Sequence, residues 1–189
     1  WPTGDFCRPG RGPGRFGFAS FFSPAIVAIM PERVHLRRLE RICIDRPVYF
    51  ITACTCHRRP ILASAAVMSI LLREWEAAKD RHGWLVGRYV IMPDHVHFFC
   101  AEVAFGARHS LSRFVGAWKE WTAKELVRTL PTTAPVWQKR FFDHVLRSDE
   151  SHAEKWAYVR DNPVRAGLTA DFESWAFQGI VDFDSPRGE

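Results

Sequence analysis

Two histidines separated by a single residue, His95 and His97 in the run DHVHFFC, are the first candidates for chemistry. Successive side chains on a strand alternate, so both imidazoles point to one face while Val96 points to the other. Neutral imidazole ligates Mn2+ and heavier divalent ions, and a strand holds two rings at a spacing that suits one metal. The same pattern also describes two structural histidines, so a second signal is needed. The stretch AYVRDNPVRAGL supplies one. At about 100° per residue, Trp156 lies about 160° around a helix from Tyr158, whereas Asn162 lies only about 40° away. A phenol and a carboxamide therefore share a face, away from Trp156 and Val159. A tyrosine placed there is either an exposed surface residue or a nucleophile. Glu154, about 40° from Tyr158 on the preceding turn, is an exposed acid or a weak candidate for the base.

These residues need elements to hold them. Arg46 to Cys56 (RPVYFITACTC) reads as a strand rich in β-branched and aromatic residues. Pro60 is expected to open a helix carrying Ile61, Val67, Ile70, Leu71 and Trp75 on one side, with Gly83 as its stop. WLVGRYVIMPDHVHFFCAEV reads as a hairpin turning at Pro93-Asp94. Ser110 caps a second helix lined by Leu111, Phe114, Val115, Trp118 and Leu126, ending before Pro131. FFDHVLRS, from Phe141, is a fourth strand, and a final helix runs from about Asp149 to Asp161, where Pro163 ends it. The fold class is α+β: a ferredoxin-like antiparallel sheet with helices on one face, plus an extra C-terminal helix carrying the tyrosine.

Composition narrows the partners. The 189 residues are 47% hydrophobic, enough for one sizeable core, and carry a net charge of +5. Seven arginines stand between Met30 and Leu62 against three acids, while the last nineteen residues hold five acids and one arginine. An uneven basic charge favours a polyanion, although a solvated face would look the same. Five cysteines without paired spacing argue against a disulfide framework and for a reducing, cytoplasmic setting. Cys54, Cys56 and His57 lack the second half of a zinc site. The apolar run 16–30 is too short to span a membrane. Residues 1–29 are expected to be a disordered leader or upstream translation, 30–178 the catalytic domain and 179–189 an acidic tail.

YVIMPDHVHFF, VWQKRFFDHVLRSDE and AYVRDNPVRAGL, in this order and at this spacing, resemble the REP-associated tyrosine transposases of the single-tyrosine HUH superfamily. The resemblance covers roughly Met30 to Trp175. It implies that His95 and His97 are the HUH pair, that Tyr158 is the nucleophile, and that Asn162 occupies the position of the third metal ligand, where other branches have Gln. Asp94 replaces the Asn commoner among relatives and is read foremost as a turn residue, with a bond to histidine as the alternative. The implied activity is metal-dependent cleavage and rejoining of single-stranded DNA near palindromic hairpins through a 5′-phosphotyrosine, with Mg2+ or Mn2+ as cofactor and a monomer or homodimer as the working unit. Arg37, Arg38, Arg41, Arg58, Arg59, Lys139 and Arg140 are candidate phosphate contacts, with general solubility as the plain alternative. Trp137 is either core or a stacking platform. A DNA-binding protein that no longer cuts and a hydrolytic nuclease are the rival readings.

Overall fold

The computed structural model describes residues 47–103, 108–146 and 149–184, with the side chains of residues 149 and 150 left aside, all within the compact unit Ile44–Glu189. The expected leader 1–29 and Arg37, Arg38 and Arg41 lie outside the described residues. Five strands and five helices follow one another: β1 (Val48–Cys54), α1 (Ala65–Glu76), α2 (Ala78–His82), β2 (Trp84–Ile91), β3 (His95–Glu102), α3 (Leu111–Thr129), β4 (Phe142–Leu146), α4 (Asp149–Arg160), α5 (Asn162–Arg165) and β5 (Gln178–Ile180). They form one antiparallel sheet in the order β4-β1-β3-β2-β5. The first four strands with α1 and α3 reproduce the expected ferredoxin-like arrangement.

Alternation along the central strands divides the buried residues between two faces. Ile51, Ala53, Val96, Phe98 and Cys100 pack with Val67, Leu71 and Trp75 of α1 and with Phe114, Val115, Trp118 and Leu126 of α3. Val48, Phe50, Phe99 and Ala101 face the other way and pack with Leu146, Val159 and Trp175. α1 and α3 therefore cover one face, and α4 lies on the opposite one. Trp137 belongs to the first core: it is 5.1 Å from the Trp118 ring and donates its indole N–H to Thr122 Oγ1 at 3.0 Å.

Two boundaries differ from those read in the sequence. The first helix starts at Ala65 rather than Pro60. Arg59 is extended, as a residue before proline prefers, and Leu62 N–H bonds the Pro93 carbonyl at 2.8 Å, drawing this segment along the β2–β3 turn. Ser64 then accepts from Val67 N–H and caps α1. At the other end, β5 crosses the expected start of an acidic tail at residue 179. The strand pairs with β2, and Asp182 accepts from Val86 N–H at 2.8 Å while Asp184 pairs with Arg88, so these acids are built into the sheet edge.

Trp118 is the centre of the first core, with its ring 5.4 Å from Trp75, 5.5 Å from Phe98 and 5.1 Å from Trp137. Trp118→Ala is expected to cost about 3–5 kcal/mol of stability, seen as a lower urea midpoint with an unchanged slope. A midpoint equal to that of the wild type would contradict this description of the core.

Candidate functional site

His95 and His97 open β3, one step after the turn that begins it. Met92 N–H bonds the His95 carbonyl at 2.8 Å, and Thr55 bonds the Asp94 carbonyl through both its N–H (2.9 Å) and its hydroxyl (3.0 Å), fixing the turn against the end of β1. Both histidines lie on the sheet face opposite α1 and α3. Their ring centroids are 4.7 Å apart and the rings are nearly perpendicular.

Each ring is held through its Nδ1. His95 Nδ1 donates to Asp94 Oδ1 at 2.6 Å, and His97 Nδ1 shares a hydrogen bond with Thr52 Oγ1 at 2.9 Å across the β1–β3 pair. Phe50 stacks on His97 at 5.4 Å. His97 is only 8% exposed. Burial, followed by electrostatic interactions with His95, Arg58, Lys155 and Arg165, pushes its pKa well below the ordinary imidazole value, so the ring is neutral at pH 7. Burial would raise the Asp94 carboxyl, but the hydrogen bond and charge of His95 and the Arg58 guanidinium outweigh it and hold Asp94 below the usual carboxylate value. Asp94 is thus both a turn residue and the partner of His95, whereas the sequence favoured the turn role alone.

A metal ligand commonly has its second ring nitrogen engaged in this way, which orients the ring and leaves the other nitrogen for the ion. With a metal–nitrogen distance of about 2.1 Å, a ring centroid lies about 3 Å from the ion, so centroids 4.7 Å apart are within reach of a shared metal. The pair fits one divalent ion on these grounds. No group of three or more His, Cys, Asp or Glu among the described residues is arranged to hold a metal.

α4 reaches this face because His152, Trp156 and Val159 anchor it. His152 lies 4.7 Å and Trp156 6.2 Å from Phe99, Trp156 meets Phe172 at 5.6 Å, and Val159 is fully buried. Tyr158 is turned away from these anchors and is 44% exposed. A run of contacts leads from it to the histidines: Lys155 Nζ is 5.9 Å from the Tyr158 ring and 5.3 Å from the Phe50 ring, and Phe50 stacks on His97. On the other side, the Arg165 guanidinium lies 4.0 Å from the Tyr158 ring centre and donates to Asn162 Oδ1. Asn162 and Tyr158 are thus linked through Arg165 although the helix breaks between them, and Glu154 is an exposed acid on the preceding turn.

The expected phosphate contacts divide. Arg58, with its side chain 52% exposed, pairs with Asp94 at 2.7 Å and bonds Cys54 Sγ at 2.9 Å, which places it beside His95. His57 and Arg58 both adopt left-handed backbone angles (φ 56° and 54°), an uncommon conformation for residues with a Cβ. Arg59 instead directs its guanidinium to Thr132 Oγ1 and to the Thr133 and Pro135 carbonyls, so it acts as an internal strut. Lys139 and Arg140 are exposed on a segment whose carbonyls, with that of Gln138, surround the Lys119 ammonium. Phe142, 42% exposed, stands opposite Thr52 in the β1–β4 register and edge-on to Phe50.

Sequence reasoning missed Thr52, Phe50, Lys155 and Arg165. The first two depend on strand pairing, which no local pattern encodes. Lys155 is three residues before Tyr158, a helical spacing that could have revealed it, whereas Arg165 lies beyond the helix break, where helical periodicity does not carry.

Comparison with known proteins comes to the same place. The family model described as "Transposase IS200 like" matches residues 44–162. The chain is 22% identical over 138 residues to the REP-associated tyrosine transposase of Escherichia coli (strain K12), covering 73% of this chain and 79% of that one. It also shares its fold with a solved REP-associated tyrosine transposase bound to a REP hairpin, with a TM-score of 0.60 and 19% identity over 70% of this chain and 75% of the other.

If Asp94 and Thr52 orient the rings for a metal, Asp94→Ala and Thr52→Val should each weaken Mn2+ binding by about 10–100-fold, measured by calorimetric titration of the DNA-free protein. Affinity equal to wild type in both variants would show that the two Nδ1 bonds serve the sheet alone.

Proposed function

The chain belongs to the IS200-like transposase family, and on that premise we propose that it cleaves and rejoins single-stranded DNA beside short palindromic hairpins, with Tyr158 as the nucleophile. The observation that carries this reading is the run of contacts that links an exposed phenol on α4 to two oriented, buried-side imidazoles on β3.

In the proposed reaction the Tyr158 hydroxyl attacks the scissile phosphorus, its proton passes to solvent, and the strand leaves through its 3′-oxygen. The product is a 5′-phosphotyrosine with a free 3′-hydroxyl. One phosphoester replaces another, so a later 3′-hydroxyl can attack the link and reseal a strand without ATP. A bound Mg2+ or Mn2+ ion, held by His95, His97 and Asn162, would supply positive charge to the non-bridging phosphate oxygens. The chain's own cations contribute as well: Lys155 lies beside the phenol, and Arg58 stands beside His95. Lys139 and Arg140 are proposed to track the backbone further out, with Phe142 offering a ring on which an unpaired base can stack.

The solved relative is bound to a REP hairpin, and the match of this chain to a transposase family supports a hairpin as its proposed substrate. The working unit proposed for this reaction is a monomer or a homodimer. No helix among the described residues is long and apolar enough to cross a membrane. The cytoplasm suits a DNA substrate and cysteines without paired spacing.

Incubation with 3′-labelled, hairpin-flanked single strands and Mn2+ should yield a labelled covalent protein–DNA adduct that Tyr158→Phe abolishes. DNA affinity should change by less than about threefold, since most of the binding energy comes from other phosphate contacts. Cutting retained by the Phe variant would replace the tyrosine mechanism with a hydrolytic one. His95→Ala should likewise stop cleavage while leaving most of the affinity, and a parallel loss of both would make the histidines structural.

A further inference from the structure

α4 and α5 meet at a break. Pro163 has no N–H to return to the preceding turn, so the helix cannot run continuously from Tyr158 to Asn162 and beyond. Regular backbone bonding alone therefore does not fix the carboxamide relative to the phenol. Arg165 bridges the break. Its Nη2 donates to the Tyr158 carbonyl at 2.8 Å, its guanidinium also donates to Asn162 Oδ1, and its Cζ lies over the Tyr158 ring, 4.0 Å from the ring centre.

Resting on the function proposed above, we infer that Arg165 is a positioning residue that holds the Tyr158 ring and the Asn162 carboxamide as one unit. Three features carry the inference. One guanidinium makes all three contacts, so the ring and the amide cannot turn independently while it is in place. The bond to Oδ1 also selects the amide orientation, since only the oxygen can accept from Arg. A carboxamide oxygen has two lone pairs, so this bond leaves one for a metal. Finally, Arg165 is exposed and takes part in none of the ion pairs found among the described residues. A long side chain held in one geometry without a carboxylate loses rotamer freedom that a solubilising arginine would keep.

The plain alternative is a helix C-cap, because basic side chains often satisfy the last carbonyls of a helix. Lysine can fill that role or supply charge, but a compact ammonium cannot stack flat on a ring while bonding two oxygens. Arg165→Lys and Arg165→Met separate these possibilities. In DNA-free, metal-free protein labelled with 13Cζ-tyrosine, the Tyr158 resonance, assigned by its loss in Tyr158→Phe, should shift in both variants while those of Tyr49 and Tyr89 stay put. At saturating hairpin-flanked DNA, both variants should form the Tyr158 adduct about 30–100-fold more slowly, the usual scale for a misplaced reacting group, with the Kd for DNA nearly unchanged. Full rescue by Lys would overturn the inference in favour of a charge or capping role, as would an unmoved Tyr158 resonance in both variants. Absence of any adduct from the wild type would sink the proposed function, while the resonance experiment would still decide whether Arg165 holds the ring.

Discussion

On the central strand β3, side chains must alternate between two buried faces, and the rest of the site depends on that constraint. Val96, Phe98 and Cys100 enter the core under α1 and α3, which leaves His95 and His97 on the face that α4 crosses. A slip of one residue in the β1–β3 register would drive both imidazoles into an aromatic core with no polar partner. The pairing of Thr52 with His97 prevents this twice over: it sets the register and supplies the hydrogen bond that a buried imidazole requires. Packing and chemistry are therefore specified by the same alternation.

The two halves of the site are held by different physics. The histidines sit in the middle of a five-stranded sheet, with backbone ladders on both sides and partners at each Nδ1. Tyr158 and Asn162 lie on either side of the α4–α5 break, where Lys155 and Arg165 supply cation contacts instead. A rigid pair of imidazoles facing a more exposed phenol suits the proposed reaction, in which DNA must enter between them and leave again. Burial is the main cause of the depressed His97 pKa, and the Arg and Lys side chains that add to it come from three separate segments, Arg58 after β1, Lys155 on α4 and Arg165 on α5.

Most of the scaffold was legible in the chain itself. The alternation of WLVGRYVI and HVHFFCAE, the turn at Pro93-Asp94, the Ser110 cap and the break at Pro163 are local signals, and each corresponds to an element of the fold. The shared face of His95 and His97 and the exposure of Tyr158 followed from periodicity alone. The start of α1 did not, because a tertiary bond from Leu62 to Pro93 overrides the tendency of Pro60 to begin a helix. β5 was hidden by its shortness and by acids that looked like a tail until Asp182 and Asp184 were seen to bind β2. Thr52, forty-five residues from His97 in sequence, could be found only once the strands were paired.

The central claim is that the β3 histidines and the α4 tyrosine serve one centre. The most direct measurement is pulsed EPR of the Mn2+-loaded protein combined with NMR of its labelled Tyr158 ring. The account predicts hyperfine coupling to two imidazole nitrogens that drops to one in His97→Ala, and strong paramagnetic broadening of the Tyr158 signal. Mn2+ that binds without imidazole coupling, or that leaves the Tyr158 signal sharp, would contradict it.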